Sequence, residues 1–306
     1  MTEQLSLFDT PPPIGAAPLD PQHLTIASRL APRIHLGTSS WAFPGWKGIV
    51  YDREASQRTL SRYGLSAYSR NPLLRAVAID RTYYGPLPSS EFRAYAEQVP
   101  EGFRFLVKAH EELTRPGENY LDREYAVAEV IAPAVEGLGV KGAVLLFQFP
   151  PQSVRGLGGP LRFAEELNVF LRDLPHPVLY AVELRNPELL TPRYLEALEA
   201  GSACHCYNVH PSMPLIAEQA KACAGAQFPA LVVRWMLRRD CEYEQARDDF
   251  RPFDRLAAPD ASARKAIAQL CRESAKPAFV IVNNKAEGSA PLSVFKLAEE
   301  IYQAIP

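Results

Sequence analysis

The feature that most limits how this chain can fold is an alternation. Short apolar runs and amphipathic segments follow one another eight times. Strand-like runs cover residues 34–38, 76–82, 103–109, 142–149, the stretch from 179, 203–209, 231–237 and 278–282. Helix-like segments lie between and after them, over 57–68, 89–98, 122–138 (interrupted by Pro133), 161–171, from 192, 215–223, 261–275 and 291–305. The run 142–149 is apolar throughout except at Gln148, which fits a strand buried on both faces, as in a parallel sheet. Strand–helix repetition defines the α/β class. Eight units favour a closed (β/α)8 TIM-like barrel over an open doubly wound sheet. The stretch Gly37-Thr38-Ser39-Ser40 after the first run lacks the glycine spacing of a dinucleotide turn or a phosphate loop. No cofactor is therefore expected.

Composition narrows the function classes. The formal net charge of −2 over 306 residues supplies no global basic field to recruit nucleic acid, although a local patch remains open. The five cysteines are Cys204, Cys206, Cys223, Cys241 and Cys271. Their odd number and the absence of a CxxC pair argue against a disulfide framework or a zinc ribbon. In Cys204-His205-Cys206 strand alternation puts the thiols on one face and His205 on the other, so a buried structural role is favoured over metal binding. No charged start followed by a long apolar run is present. A cytoplasmic protein with no membrane partner is expected.

Residues 1–32 are set apart by Pro11-Pro12-Pro13, Pro18, Pro21 and Pro32. They are expected to form an extended or disordered tail ahead of a single barrel domain over 33–306. Within the tail, Gln4-Leu5-Ser6-Leu7-Phe8 resembles the pentapeptide by which bacterial repair and replication proteins dock on the DNA sliding clamp. Leu5, Leu7 and Phe8 would enter a partner's pocket and Gln4 would supply a directional hydrogen bond. The alternative is a terminus with accidental hydrophobes.

A barrel carries its chemistry at the C-terminal ends of its strands. The fifth run turns abruptly polar there, as Glu183-Leu184-Arg185-Asn186-Pro187; it is either a ligand-facing edge or a structural Glu–Arg pair. Glu183 and Asp80 are candidate acid and base, with Lys108 as a third candidate catalytic group. Lys108, Arg185 and Arg234 form a candidate clamp for an anionic small molecule or nucleic acid, the alternative being charge balance against Asp80 and Glu183. Trp41, Tyr84, Gln148, Asn186, Asn208, Asn283 and Asn284 complete the candidate ligand-binding set, the aromatics as stacking surfaces. Asp80, His110 and Glu183 come from separate strands without patterned spacing, so no metal site is assigned. Gly-x-Ser-x-Gly is absent, which disfavours a hydrolase elbow. The charged excursion 238–260 is either a lid or a solvated insertion.

Taken together, several segments resemble the YecE-like family, a domain of unknown function found in bacteria and archaea. They are Gly37-Thr38-Ser39-Ser40-Trp41, Thr82-Tyr83-Tyr84, Leu145-Leu146-Phe147-Gln148-Phe149-Pro150-Pro151, Ala181-Val182-Glu183-Leu184-Arg185-Asn186-Pro187 and Asn283-Asn284-Lys285-Ala286-Glu287-Gly288-Ser289-Ala290. The resemblance implies a (β/α) barrel and no particular reaction. The chain departs from the family at three places. Ala78 and Asp80 stand where a Glu-x-Asn is usual, and Asn186 stands where His often follows. Arg234-Trp235-Met236-Leu237 replaces an Arg-x-His-Gly. These departures put a shared acid–base mechanism in doubt. The expected function is an enzyme on a sugar-phosphate or nucleic-acid-derived substrate, recruited to the sliding clamp. The alternative is a non-catalytic ligand-binding or DNA-metabolism accessory protein.

Overall fold

The computed structural model describes residues 13–303. Eight parallel strands close into a barrel in sequence order, as the alternation requires. They are β1 (Ile34–Thr38), β2 (Ala76–Ile79), β3 (Arg104–Lys108), β4 (Gly142–Gln148), β5 (Leu179–Glu183), β6 (Ala203–Val209), β7 (Leu231–Trp235) and β8 (Ala278–Val282). Closure runs from Ile34 opposite Ala278 to Thr38 opposite Val282. At Gly37 the approach of β1 to β2 leaves no room for a side chain, since a Cβ there would lie 1.8 Å from the Ala76 carbonyl oxygen.

Strand alternation sorts the side chains into two layers. Ala78, Leu106, Leu146, Ala181, Cys206, Val232 and Ile281 fill the barrel interior. Their neighbours, among them Val77, Phe105, Phe147, Val182 and Val233, face the helices. Two residues beyond each interior position lie Asp80, Lys108, Gln148, Glu183, Asn208, Arg234 and Asn283. The polar strand ends thus form a layer stacked on the apolar interior.

Three expectations are corrected by the structure. The second strand stops at Ile79 rather than Thr82, because Arg81–Tyr83 forms a 3-10 turn. Thr82 Oγ1 stabilises that turn by donating toward the Ile79 and Lys108 carbonyls at 2.7 and 2.6 Å. The helix expected over 122–138 is not broken by Pro133. A π-helical turn over Ala126–Ile131 precedes it, widening the ladder where proline lacks an N–H and would crowd the preceding carbonyl. Residues 21–29, expected in the tail, form the helix Pro21–Arg29. Asp20 caps it by accepting from Gln22 N at 2.8 Å, and Pro21 takes the first position, where its missing N–H costs nothing. Ile26 and Leu30 are buried against the barrel, and the Arg75 guanidinium donates to the Ala27 carbonyl at 2.6 Å. The segment Gln4–Phe8 lies outside the described residues.

The excursion 238–260 has structure of its own. It carries the helix Tyr243–Asp249 and a small apolar cluster of Leu237, Ala246, Phe250 and Phe253 with Phe43 against it. Both of its ends are clasped to the segment after β8. Arg238 N donates to the Lys285 carbonyl at 3.1 Å, Ala258 N to the Glu287 carbonyl at 3.0 Å, and Asp260 N to a Glu287 carboxylate oxygen at 2.7 Å. Among the described residues no helix is long and apolar enough to cross a membrane.

Candidate functional site

The polar layer is organised by a chain of charges. Glu183 ends β5 with no exposed surface. Arg234, next to the C-terminal end of β7, donates to Glu183 Oε2 through Nη1 at 2.8 Å and to Asp80 Oδ2 through Nη2 at 2.7 Å. Arg185 pairs with the other oxygen of Glu183, which places Glu183 and Arg185 on one face, as their spacing requires. Two guanidiniums therefore balance two carboxylates, and Glu183 has both oxygens engaged. Burial alone would raise the Glu183 carboxyl, but Arg185 and Arg234 outweigh it and hold the group at about 2. Asp80 is the outer end of the chain, its side chain 29% exposed. Its Oδ1 is buried and has no hydrogen-bond partner among the described residues.

Lys108 adds the charge left unbalanced. Its Nζ sits 3.4 Å from the centroid of the Tyr83 ring, and it makes no ion pair among the described residues. Burial lowers its ammonium to about 8, partly offset by the nearby Asp80 carboxylate and reinforced by Arg234. Tyr83 in turn meets Tyr84 edge to face, with centroids 5.4 Å apart. Across the mouth, Lys285 Nζ lies 4.3 Å from the ring centroid of Tyr243 in the excursion. Burial also lowers the Lys285 ammonium, and Asp80 partly restores it.

The expected residues therefore divide. Asp80, Lys108, Glu183, Arg185 and Arg234 converge, with Gln148 beside Glu183 in register. Asn208 is in register with Arg234, and its amide donates to the Leu184 carbonyl at 3.1 Å. Asn283 joins β8 to the end of β1 by donating to Ser39 Oγ at 2.8 Å, and its side chain accepts from Lys285 N. Tyr84 stands exposed at the rim. Three candidates lie elsewhere. Trp41 is buried, its indole donating to the Leu60 and Ser61 carbonyls and its ring meeting Tyr95 edge to face. Asn186 latches the loop after β4 through paired hydrogen bonds with the Gln152 backbone. Asn284 accepts from Ala290 N at the start of the last helix. His205 faces outward from β6, against Tyr194 Oη at 3.0 Å and near Gln219, so Cys204-His205-Cys206 does not converge.

Lys285 and Tyr243 belong to the mouth although they were not in the candidate set. Lys285 had a signal, as it follows Asn283-Asn284 directly after a strand. Tyr243 sits in a segment without strand or helix period linking it to the barrel. His110 also closes on the rim, its Nδ1 2.5 Å from Tyr125 Oη.

These features define a (β/α)8 barrel with a charged, aromatic-rimmed mouth at the C-terminal ends of its strands. The family model described as "Protein of unknown function DUF72" matches residues 35–305, and the chain belongs to that family. A curated relative, the UPF0759 protein YunF of Bacillus subtilis (strain 168), is 28% identical over 122 residues. That match spans 39% of this chain and 40% of the relative, less than half of its length. Two solved structures of DUF72 family proteins share the fold. The one from Enterococcus faecalis V583 has a TM-score of 0.58 at 18% identity, covering 89% of this chain and 97% of that one. The one from Thermotoga maritima MSB8 has a TM-score of 0.57 at 19% identity, covering 87% and 98%.

Proposed function

We propose that the barrel mouth is a catalytic site for a small anionic substrate, a sugar phosphate or a nucleic-acid-derived phosphate, with Lys108 as the proton-exchanging group. The observation that carries this reading is the placement of the Lys108 amine: half-buried at a strand end, laid over the Tyr83 ring and left out of the Glu183 ion-pair chain. Burial brings the amine to about 8, close enough to neutrality for both protonation states to be populated, which is the condition for general acid–base work. Asp80, the partly exposed outer end of the chain of charges, is its partner. Glu183 acts as a positioning residue, since two guanidiniums fix it as a carboxylate. Arg185, paired with Glu183, adds its positive charge to that of Lys108 in attracting the anion. Docking of Gln4, Leu5, Leu7 and Phe8 on the bacterial sliding clamp would bring such an enzyme to DNA; the five-residue match supports it.

Pyridoxal 5′-phosphate tests the site, because it couples an anion to an amine-reactive aldehyde. Borohydride trapping at neutral pH followed by peptide mapping should mark Lys108 preferentially, with inorganic phosphate protecting it. Labelling spread over surface lysines with Lys108 untouched would remove the proposal. The full engagement of Glu183 favours a second reading, a ligand-binding or DNA-metabolism accessory barrel without turnover. Under it Lys108→Met weakens ligand binding and no reaction is found in the wild type.

A further inference from the structure

We infer that Tyr84 and Tyr243 form a stacking site for the base of a nucleoside phosphate unit whose phosphate lies at the lysines of the barrel mouth. This rests on the anion-binding reading above and specifies its substrate class. Tyr84 is 81% exposed and Tyr243 54% exposed. Single exposed aromatics are common on protein surfaces and require no explanation. These two differ because they converge. Tyr84 follows β2 four residues after Asp80, and the edge-to-face contact with Tyr83 braces it. Tyr243 stands on the excursion clasped to the segment after β8, and β8 and β2 flank β1 on its two sides, so both rings stand over the same sector of the mouth. Burial raises the Tyr243 phenol, and Tyr84 and Asp80 add to that rise.

Both rings stand on rigid supports. Tyr83, beneath Tyr84, is packed against Lys108. Tyr243 opens a helix held by the Ala246, Phe250 and Phe253 cluster, and the excursion is hydrogen-bonded at both ends to 285–287. Lys285 covers one face of Tyr243, whose side chain remains more than half exposed. A cation against one face draws π density toward itself, which suits an electron-rich base on the opposite face better than the C–H groups of a sugar. The result is two aromatic platforms and two ammonium groups around one carboxylate, Asp80. That is the pairing of stacking surface and phosphate-directed charge by which proteins hold exposed bases. The shared chemistry is the nucleoside phosphate unit, free in solution or at an unpaired position of a nucleic-acid chain.

Calorimetric titration of the full chain separates the outcomes. The probes are 2′-deoxyadenosine 5′-monophosphate, 2-deoxyribose 5-phosphate and single-stranded octadeoxyadenylate, against wild type, Tyr84→Leu, Tyr243→Leu and Lys108→Met. The nucleotide should bind more tightly than the sugar phosphate. Each tyrosine substitution should weaken nucleotide binding on the order of 10-fold and leave the sugar phosphate unchanged. Both tyrosines are exposed, so the variants should fold, and unchanged sugar-phosphate affinity verifies this. If the oligomer binds much more tightly than the mononucleotide and both tyrosines matter, the base comes from a chain; equal affinities assign it to the free nucleotide. Nucleotide and sugar phosphate binding alike, with Lys108→Met weakening both and neither tyrosine mattering, would overturn the stacking site alone. No binding of any probe would overturn the mouth reading and this inference with it.

Discussion

Substituting Glu183 by glutamine should destabilise the protein by about 3 kcal/mol at neutral pH. Two routes lead to this figure. The carboxyl is held at about 2 against an ordinary 4.5; at about 1.4 kcal/mol per pH unit, that is on the order of 3 kcal/mol favouring the folded, ionised state. Independently, removing one partner of a buried ion pair typically costs about 3–5 kcal/mol, because the remaining charge stays buried. Here Arg185 and Arg234 would both remain, 7% and 1% exposed, Arg234 still paired with Asp80 and Arg185 left without a carboxylate partner among the described residues. Glutamine keeps the size of the side chain and one acceptor for Arg234, but would turn an amide donor toward Arg185. Because the folded-state value is depressed, the stabilisation is fully present above about 4.5 and is lost as pH falls toward 2. Urea unfolding of wild type and variant at pH 7, repeated down to about pH 3, reads both effects. The gap should be near 3 kcal/mol at neutrality and shrink below about pH 4.5, where Glu183 of the unfolded wild-type chain takes up a proton that the folded chain does not. A difference below about 1 kcal/mol, the range of exposed ion pairs, would refute the buried charge chain, as would a gap indifferent to pH.

Two further substitutions test other features. Gly37→Ala would place a methyl 1.8 Å from the Ala76 carbonyl oxygen, so thermal unfolding should show a loss of about 1–3 kcal/mol from forced separation of β1 and β2; an unchanged midpoint would contradict the close approach. Replacing Gln4, Leu7 and Phe8 together by alanine should abolish capture of the sliding clamp in a pull-down while leaving the melting temperature unchanged. Clamp binding that survives the triple substitution would exclude docking by this segment.

The barrel was legible because each strand is an apolar run bounded by turn residues. The inward-facing ends were legible because alternation carries the interior column on to Asp80, Lys108, Gln148, Glu183 and Arg234. The partnership of Glu183 with Arg185 was also within reach, two residues apart on one strand. The bridging by Arg234 was not, as its carboxylates lie 154 and 51 residues away in the chain and only barrel closure brings them together. Trp41 was ambiguous for a different reason: a tryptophan after a strand fits a rim or a core, and the choice depends on the helix Gln57–Tyr63, whose carbonyls take its indole N–H. The helix Pro21–Arg29 was hidden by Pro21 and the prolines flanking it, although Asp20-Pro21 is a capping pair and Ile26 and Leu30 are spaced for one buried face. Tyr243 could not be placed because the excursion's position depends on hydrogen bonds to 285–287 that have no local pattern.

The most direct measurement is the titration of Lys108 itself. The pH dependence of its acetylation rate, followed by competitive labelling and mass spectrometry on the intact protein, reports the fraction of free amine at that one residue. Burial at the barrel mouth predicts an inflection near 8, with Lys108 more reactive at neutral pH than lysines of ordinary basicity and equal access. An inflection at about 10 or above, the range of a solvated lysine, would contradict a proton-exchanging role for Lys108.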